Sequence, residues 1–137
     1  MKVIDATGLV LGRLASTVAK SLLKGDKIVI VNAEKCIISG DRQYLINKYL
    51  KRVGRGSKTK GPYYPKRPDG ILRRAIRGML PYKRERGRKA FRNLEVYIGV
   101  PDEYANIEKT QISEAKPRNL RKYMVLEDLC KHIGWYS

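Results

Sequence analysis

Four consecutive β-branched residues, Ile28 to Val31, are typical of a strand that is buried on both faces. The segment before them has apolar residues at three- and four-residue steps from Leu11 to Leu23, which predicts an amphipathic helix ending at Gly25. A short apolar run from Lys2 to Ala6 predicts a strand ahead of that helix. Strand, helix and buried strand form a βαβ unit, so we expect an α/β domain built on a parallel sheet.

Further periodic segments extend this unit. A short β run is expected from Cys36 to Ser39, and alternating apolar residues predict a strand from Leu94 to Gly99. Asp41 is placed to cap a helix, and a final helix is expected from about Glu127 to Ile133. The residues of the Asp41 helix that are expected on its inner side are Leu45, Ile46, Tyr49, Leu50 and Val53. The 137 residues suffice for one domain with a modest core.

The stretch from Gly54 to Gly70 breaks this periodicity. It holds four glycines and three prolines and almost no side chain suited to a core, so we expect a long functional loop or one ordered by a partner. Asp69 is placed to cap the next helix, which Pro81 ends. The residues of that helix that are expected to pack inward are Ile71, Leu72, Ala75, Ile76, Met79 and Leu80.

The positive charge is concentrated in the middle of the chain. Lys and Arg outnumber Asp and Glu by 30 to 13, a net charge of +17. Residues 51–92 carry sixteen basic and two acidic side chains, a net +14, whereas residues 1–50 carry a net +4 and residues 93–137 a net −1. A solvated surface usually mixes both signs, so this excess predicts a polyanion-binding surface within residues 51–92.

The basic residues of this segment have the chemistry of phosphate binding. Arginine presents a planar fork that matches phosphate oxygens, and it can also stack on bases. Tyr63, Tyr64 and Tyr82 could stack on unpaired bases, although packing into the core is the other interpretation of each ring. A flexible basic loop suits an irregular RNA surface better than a duplex groove. The candidate RNA-binding residues are Arg52, Arg55, Lys58, Lys60, Tyr63, Tyr64, Lys66, Arg67, Arg73, Arg74, Arg77, Lys83, Arg84, Arg86, Arg88, Lys89 and Arg92.

Catalysis, metal binding and membrane insertion find little support in the sequence. The turn after the first strand lacks the glycine pattern of a dinucleotide site, and Pro62-Tyr63 stand where a phosphate-binding loop needs Lys and Ser or Thr. His132 and the distant Cys36 and Cys130 cannot make a zinc set, and the cysteines are expected to pack in the core. With no apolar run of about eighteen residues and no signal-peptide core, we expect a cytosolic protein.

Three stretches carry a family resemblance. The first is Ile4-Asp5-Ala6-Thr7-Gly8 leading into Leu11-Gly12-Arg13-Leu14-Ala15-Ser16, and the second runs from Val29-Ile30-Val31-Asn32-Ala33 to Ser39-Gly40. The third is Ile76-Arg77-Gly78-Met79-Leu80-Pro81, followed by Gly87-Arg88 and by Leu94-Glu95-Val96-Tyr97-Ile98-Gly99. In order and spacing, across about residues 3–101, they closely resemble the universal large-subunit ribosomal protein L-thirteen family. The first loop and the C-terminal tail resemble the archaeal or eukaryotic form more than the bacterial one, and the short length favours an archaeal source.

The resemblance implies one three-layer α/β/α domain over residues 1–137, around a small, mainly parallel sheet of about four strands with a long basic loop. It implies a structural protein of the cytoplasmic ribosome that binds large-subunit ribosomal RNA, joins the subunit early in assembly and lies beside other ribosomal proteins. Catalysis, metal, cofactor, membrane and small-molecule substrate are not implied. The basic RNA-binding segment is expected at about residues 51–92 and a C-terminal extension at about residues 102–137.

Two alternatives stay open at this point. Arg13 of the Gly-Arg-Leu-Ala block is expected to pair with Asp5 or to reach RNA, with a structural role favoured. The Gly78-Met79-Leu80-Pro81 motif is expected to form a tight helix exit that directs the following basic run.

The alternative to a ribosomal component is a translational regulator that binds messenger RNA away from the ribosome, and such a regulator would be absent from washed large subunits.

Overall fold

A three-stranded parallel sheet lies at the centre of the computed structural model, which describes residues 1–54, 64–118 and 120–135. In chain order the strands and helices are β1 (Lys2–Asp5), α1 (Leu11–Leu23), β2 (Ile28–Val31), β3 (Ile37–Ser39), α2 (Arg42–Gly54), α3 (Pro68–Gly78), α4 (Glu85–Arg92), β4 (Leu94–Val96), β5 (Tyr123–Val125) and α5 (Leu126–His132). Strand β2 is central, and both β1 and β4 run parallel to it. The α/β class and the βαβ unit predicted from the sequence are confirmed.

Strand β2 is buried on both faces, as its β-branched run predicts. Ile28 and Ile30 share one core with residues from all five helices. Val29 and Val31 point to the other face, where they pack with Val3 and with Tyr104 from a short 3-10 turn. All four β2 side chains are at most 1% exposed. Within the described ranges, the five helices therefore pack on one face of the sheet, and the short 3-10 turn that holds Tyr104 packs on the other.

Helix α1 packs its apolar stripe against α3 and α4. Leu14 and Val18 are fully buried, and Leu22 is 1% exposed. Truncating a leucine in such a position to alanine costs about 3 kcal/mol, because a cavity adds to the lost transfer free energy. No helix within the described ranges is both long and apolar enough to span a membrane.

The C-terminal segment joins the same core through a second, antiparallel sheet that the sequence pattern did not predict. Strand β5 pairs with β3, with Ile38 opposite Met124. Helix α5 begins immediately after β5, and the Leu126 N–H donates to the Cys36 carbonyl at 2.8 Å. That bond satisfies one of the free N–H groups at the start of α5, so this helix forms without a capping side chain.

The two cysteines are buried in this core. Cys36 and Cys130 are fully buried and form no disulfide. Burial raises the pKa of the Cys36 thiol to about 12 and that of the Cys130 thiol to about 12. Both thiols are therefore neutral at physiological pH, and the packing role predicted for them is confirmed.

Four details of the predicted pattern are wrong. Leu50 is 45% exposed and Met79 is 47% exposed, although both were expected to pack inward. Leu50 lies on the solvent side of α2, and Met79 follows the last residue of α3, outside its apolar stripe. Asp69 does not cap α3, because Pro68 already occupies the first turn and Arg67 is the capping position. The predicted strand from Leu94 to Gly99 ends at Val96. By contrast, the predicted helix cap at Asp41 is confirmed, since its carboxylate accepts the Tyr44 N–H.

Candidate nucleic-acid interface

Helix α3 presents three arginines on the side opposite its core contacts. Ile71, Leu72 and Ile76 are at most 1% exposed and fix the helix against the domain. Arg73, Arg74 and Arg77 are separated by one, three and four residues, so they lie on neighbouring positions of the other side. Arg73 and Arg74 are half-buried and Arg77 is exposed, so none of the three belongs to the buried core.

Tyr64 links the end of α2 to α3. The guanidinium carbon of Arg52 lies 5.6 Å from the Tyr64 ring centroid, and that of Arg74 lies 5.1 Å from it. Arg52 also donates to the Tyr64 hydroxyl at 3.3 Å and lies 5.0 Å from the Tyr49 ring centroid. Tyr49 meets Tyr64 edge-on, and burial raises the pKa of Tyr49 to about 12, so its phenol stays neutral. These contacts hold two guanidinium groups in place without neutralising them.

A second aromatic pair supports the other end of α3. The Arg77 guanidinium carbon lies 4.2 Å from the Tyr82 ring centroid, and that of Arg73 lies 4.8 Å from the Phe91 ring centroid. Tyr82 and Phe91 meet edge-on with centroids 5.7 Å apart. Rings from two later segments therefore orient two arginines of α3.

The basic stretch after α3 turns sharply into α4. The Arg84 N–H donates to the Pro81 carbonyl at 3.0 Å, closing a turn over Pro81–Arg84. Gly87 of α4 packs directly on this turn, and a Cβ there would overlap the Pro81 carbonyl. Arg88 braces the turn by donating to the Tyr82 and Lys83 carbonyls at 3.4 and 3.1 Å. Only glycine permits this approach, which directs Lys83 and Arg84 into solvent.

Two adjoining clefts show that these groups form one surface. A cleft of about 520 Å³ is lined by Arg74, Arg77, Gly78, Leu80, Pro81, Tyr82, Lys83 and Arg84. A smaller cleft of about 260 Å³ shares Arg74 and Arg77 with it and adds Pro65, Gly70, Arg73 and Phe91. We call the continuous patch the arginine–aromatic surface, and its members are Arg52, Tyr64, Arg73, Arg74, Arg77, Tyr82, Lys83, Arg84 and Phe91.

The charge of this surface is not neutralised from within. Among ion pairs between described residues, the cations of residues 51–92 contribute two, Arg67 with Asp69 and Lys89 with Glu85. Neither pair belongs to the arginine–aromatic surface. Its positive field therefore faces solvent, where it can attract a polyanion.

The remaining predicted residues fall in other places. Arg86 and Lys89 line a separate cleft beside the end of α1. Lys66 lies near Gly134, just after α5, and Arg92 is exposed at the end of α4. The predicted residues that lie outside the described ranges are Arg55, Lys58, Lys60 and Tyr63.

Arg13 does not pair with Asp5, the first of the two contacts expected of it. Its guanidinium donates to the Lys116 carbonyl at 3.3 Å. Asp5 instead accepts hydrogen bonds from the Thr7 N–H and hydroxyl and from the Asn32 amide. Burial alone would raise the pKa of Asp5, but these hydrogen bonds outweigh it and leave the pKa below its ordinary value. The pairing of Arg13 with Asp5 is therefore wrong, and its observed contact is a structural one.

Sequence reasoning missed three residues that shape the surface. Tyr49 was expected only in the core and Phe91 was not singled out, since neither the contact of Tyr49 with Arg52 nor that of Phe91 with Arg73 leaves a periodic signal. Gly87 was present in the Gly87-Arg88 motif, and a glycine inside an otherwise basic helix was the available signal of a close backbone approach. Among the described residues, no group of three or more His, Cys, Asp or Glu side chains could hold a metal ion.

The sequence matches a family model described as Ribosomal protein L13 over residues 1–103. A protein of Methanosarcina barkeri named large ribosomal subunit protein uL13 is 56% identical over 137 residues, which cover 98% of each chain. Proteins of the same name are 48% identical in Methanosphaera stadtmanae, covering 96% of each chain, and 46% identical in Archaeoglobus fulgidus, covering 97% of this chain and 87% of that protein.

Proposed function

The chain belongs to the ribosomal protein L13 family, and on that basis we propose that it binds large-subunit ribosomal RNA through the arginine–aromatic surface. It is a structural component of the large ribosomal subunit in the cytoplasm and not an enzyme. The family match and the name shared by its archaeal relatives support the assignment to the large subunit. The arrangement of the basic side chains supports the location of the RNA contact.

One observation carries this location: Arg52 and the three arginines of α3 are held by aromatic rings and not by carboxylates. Arg74 and Arg77 lie over Tyr64 and Tyr82, and within the described ranges neither forms an ion pair. An aromatic ring orients a guanidinium and leaves its charge available, whereas a carboxylate would cancel it. The same guanidinium can then donate its N–H groups to a phosphate oxygen or stack its face on a base.

The affinity of such a surface comes chiefly from counterion release. Each phosphate that a Lys or Arg neutralises frees condensed cations, so affinity falls as salt rises. Lys83 and Arg84, exposed on the turn braced by Gly87, supply charge next to the oriented arginines. The arginines that aromatic rings orient recognise the shape of an irregular RNA, and Lys83 adds electrostatic attraction.

The same surface also leads to a proposal about when the chain joins the large subunit. A strongly basic domain that folds on its own core is expected to bind bare ribosomal RNA before neighbouring proteins cover the RNA. We therefore propose that the chain joins the large subunit early and that other large-subunit proteins later lie beside it. Omitting it from a stepwise reconstitution should deplete proteins that bind afterwards.

Equilibrium binding to protein-free large-subunit ribosomal RNA over a salt series tests the RNA contact. The triple variant Arg73→Gln, Arg74→Gln, Arg77→Gln should bind more weakly and reduce the slope of log affinity against log salt by about 3, since each phosphate contact contributes about 1. The matched control Lys20→Gln, Lys24→Gln, Lys27→Gln removes three exposed cations from α1 and its exit and should leave the slope nearly unchanged.

Equal slopes for the two triple variants would contradict the location of the RNA contact. Sedimentation of salt-washed large subunits tests the assignment to the ribosome, and the chain should remain with them. Its absence from washed subunits would favour the regulator of messenger RNA.

A further inference from the structure

The outer face of α2 carries an exposed tyrosine and cations that the arginine–aromatic surface does not include. Tyr44, Lys48 and Lys51 follow one another at four- and three-residue steps, which places them on one side of the helix. With Asn47 and Arg52 they line a cleft of about 460 Å³. Tyr44 is 61% exposed, and the Lys48 Nζ lies 6.0 Å from its ring centroid. The core contacts of α2 come from other positions, such as the buried Leu45.

This face is positive and lacks local neutralisation. Residues 42–54 contain four basic side chains and no acidic one. Among described residues, Arg42 at the start of the helix pairs with Asp128 and the preceding Asp41 pairs with Lys122, whereas neither Lys48 nor Lys51 forms an ion pair. The partner that complements this face is therefore anionic.

The face is also continuous with the proposed RNA contact. Arg52 lines the α2 cleft and at the same time lies over Tyr64, whose ring also carries Arg74. A strand that follows the arginine–aromatic surface past Arg52 would therefore reach Lys48 and Tyr44. Proteins bind unpaired nucleotides with this combination, in which cations follow the backbone and an exposed ring stacks on a base.

We infer that the outer face of α2 is a second RNA-contact surface, where Tyr44 stacks on an unpaired base and Lys48 and Lys51 bind the flanking phosphates. The inference rests on the proposed function and extends the contact to residues ahead of the basic segment 51–92. An exposed tyrosine between lysines favours an unpaired stretch of RNA over a duplex, whose stacked bases offer no free face.

Binding of the full chain to protein-free large-subunit ribosomal RNA separates the two roles. Tyr44→Ala should weaken affinity about tenfold, the loss of one base stack, and leave the salt slope unchanged because no charge is removed. Tyr44→Phe should bind like the wild type, since the ring remains. Lys48→Gln with Lys51→Gln should lower the salt slope by about 1.4, as about 0.7 is expected for each phosphate of a single strand.

Matched controls lie on other elements. Tyr123→Ala removes a tyrosine on β5 that is 55% exposed, and Lys20→Gln with Lys24→Gln removes one exposed lysine of α1 and one just after it. Both controls should bind with unchanged affinity and slope. Ultraviolet crosslinking of the wild-type complex, followed by mass spectrometry, should find a nucleotide on the peptide that contains Tyr44.

Wild-type binding by the α2 variants, or no nucleotide on that peptide, would overturn the inference. If the Arg73, Arg74 and Arg77 variant still loses affinity in that case, the proposed function stands and only the α2 contact fails. If all these variants bind like the wild type, both proposals fail together.

Discussion

Residues 51–92 and residues 93–137 pack on the same core, yet the arginines of α3 and the paired lysines of the C-terminal segment have different surroundings. In the first segment the arginines of α3 lie over aromatic rings and are free of ion pairs among the described residues. In the second segment Lys131 pairs with Glu127 at 3.4 Å and Lys122 with Asp41 at 3.5 Å. Lys109 donates to two backbone carbonyls within its own loop.

This difference shows that net charge alone does not mark a binding surface. A cation paired with a carboxylate has its charge neutralised inside the molecule, so it offers little to an anionic ligand. A cation oriented by a ring keeps its charge and its hydrogen-bond donors for an external anion. We therefore propose the basic segment as the contact surface because of the surroundings of its cations as well as their number.

The largest expected effect is a core change in the C-terminal segment. Leu129 is fully buried, and Leu129→Ala should lower the free energy of unfolding by about 3 kcal/mol. The folded fraction should bind ribosomal RNA as the wild type does, because no surface cation moves. Denaturant unfolding with parallel RNA titration measures both quantities. A large loss of affinity per folded molecule would contradict the proposal that residues 51–92, and not residues 93–137, bind RNA.

A smaller loss of stability is expected in the basic segment, together with a loss of binding. Gly87→Ala forces a Cβ against the Pro81 carbonyl, which should cost about 2 kcal/mol of folding free energy and shift Lys83 and Arg84. Gly12→Ala is the control, since a Cβ there meets no atom within 4 Å. In an exposed helical position it should stabilise the chain by about 0.5 kcal/mol. Equal unfolding midpoints for the two variants would contradict the role of Gly87.

A pH titration of Tyr104 tests whether Glu95, a charged residue of the segment 93–137, is hydrogen-bonded inside the molecule. The Tyr104 hydroxyl donates to Glu95 at 3.0 Å, and this hydrogen bond is the main reason that the pKa of Tyr104 is raised to about 12. Glu95→Gln removes the carboxylate, so the pKa of Tyr104 should fall toward its ordinary value of about 10. Ultraviolet difference titration against a Tyr104→Phe reference follows that one ring. An unchanged midpoint would show that Glu95 is not the cause.

The smallest effect is expected at Asp41, which caps α2 and pairs with Lys122. The Tyr44 N–H and then Lys122 hold the pKa of Asp41 below its ordinary value. A lowered folded-state pKa adds stability above the unfolded-state pKa of about 4, and that stability is lost as pH falls through the folded-state pKa. Asp41→Asn should flatten this acid limb of the unfolding midpoint against pH. A limb as steep as that of the wild type would argue against the assignment.

The sequence correctly predicted the elements whose apolar residues repeat at a regular spacing. The stripe of α1 and the β-branched run of β2 each repeat over enough residues to identify the element, and the basic segment was visible in its composition. Strand β5 was missed because three residues show no alternation long enough to recognise. Leu50 was misplaced because an apolar residue at the edge of a helical stripe can face either side.

The arrangement of the site needed the structure. Tyr49 and Phe91 reach Arg52 and Arg73 only after distant segments fold together, so spacing along the chain could not pair them. The contact of Arg13 with the Lys116 carbonyl likewise joins residues 103 positions apart. The sequence did contain the Gly87-Arg88 motif. The structure explains its glycine, because α4 approaches the Pro81–Arg84 turn too closely for a Cβ.

The central claim is that unpaired cations of residues 51–92 bind RNA and internally paired cations of residues 93–137 do not. The most direct test compares two double variants with equal loss of charge, Lys83→Ala with Arg84→Ala and Lys122→Ala with Lys131→Ala, in binding to protein-free large-subunit ribosomal RNA over a salt series. We expect the first to reduce the salt slope by about 2 and the second to leave it unchanged. Equal reductions in both variants, or a reduction in the second alone, would contradict the claim.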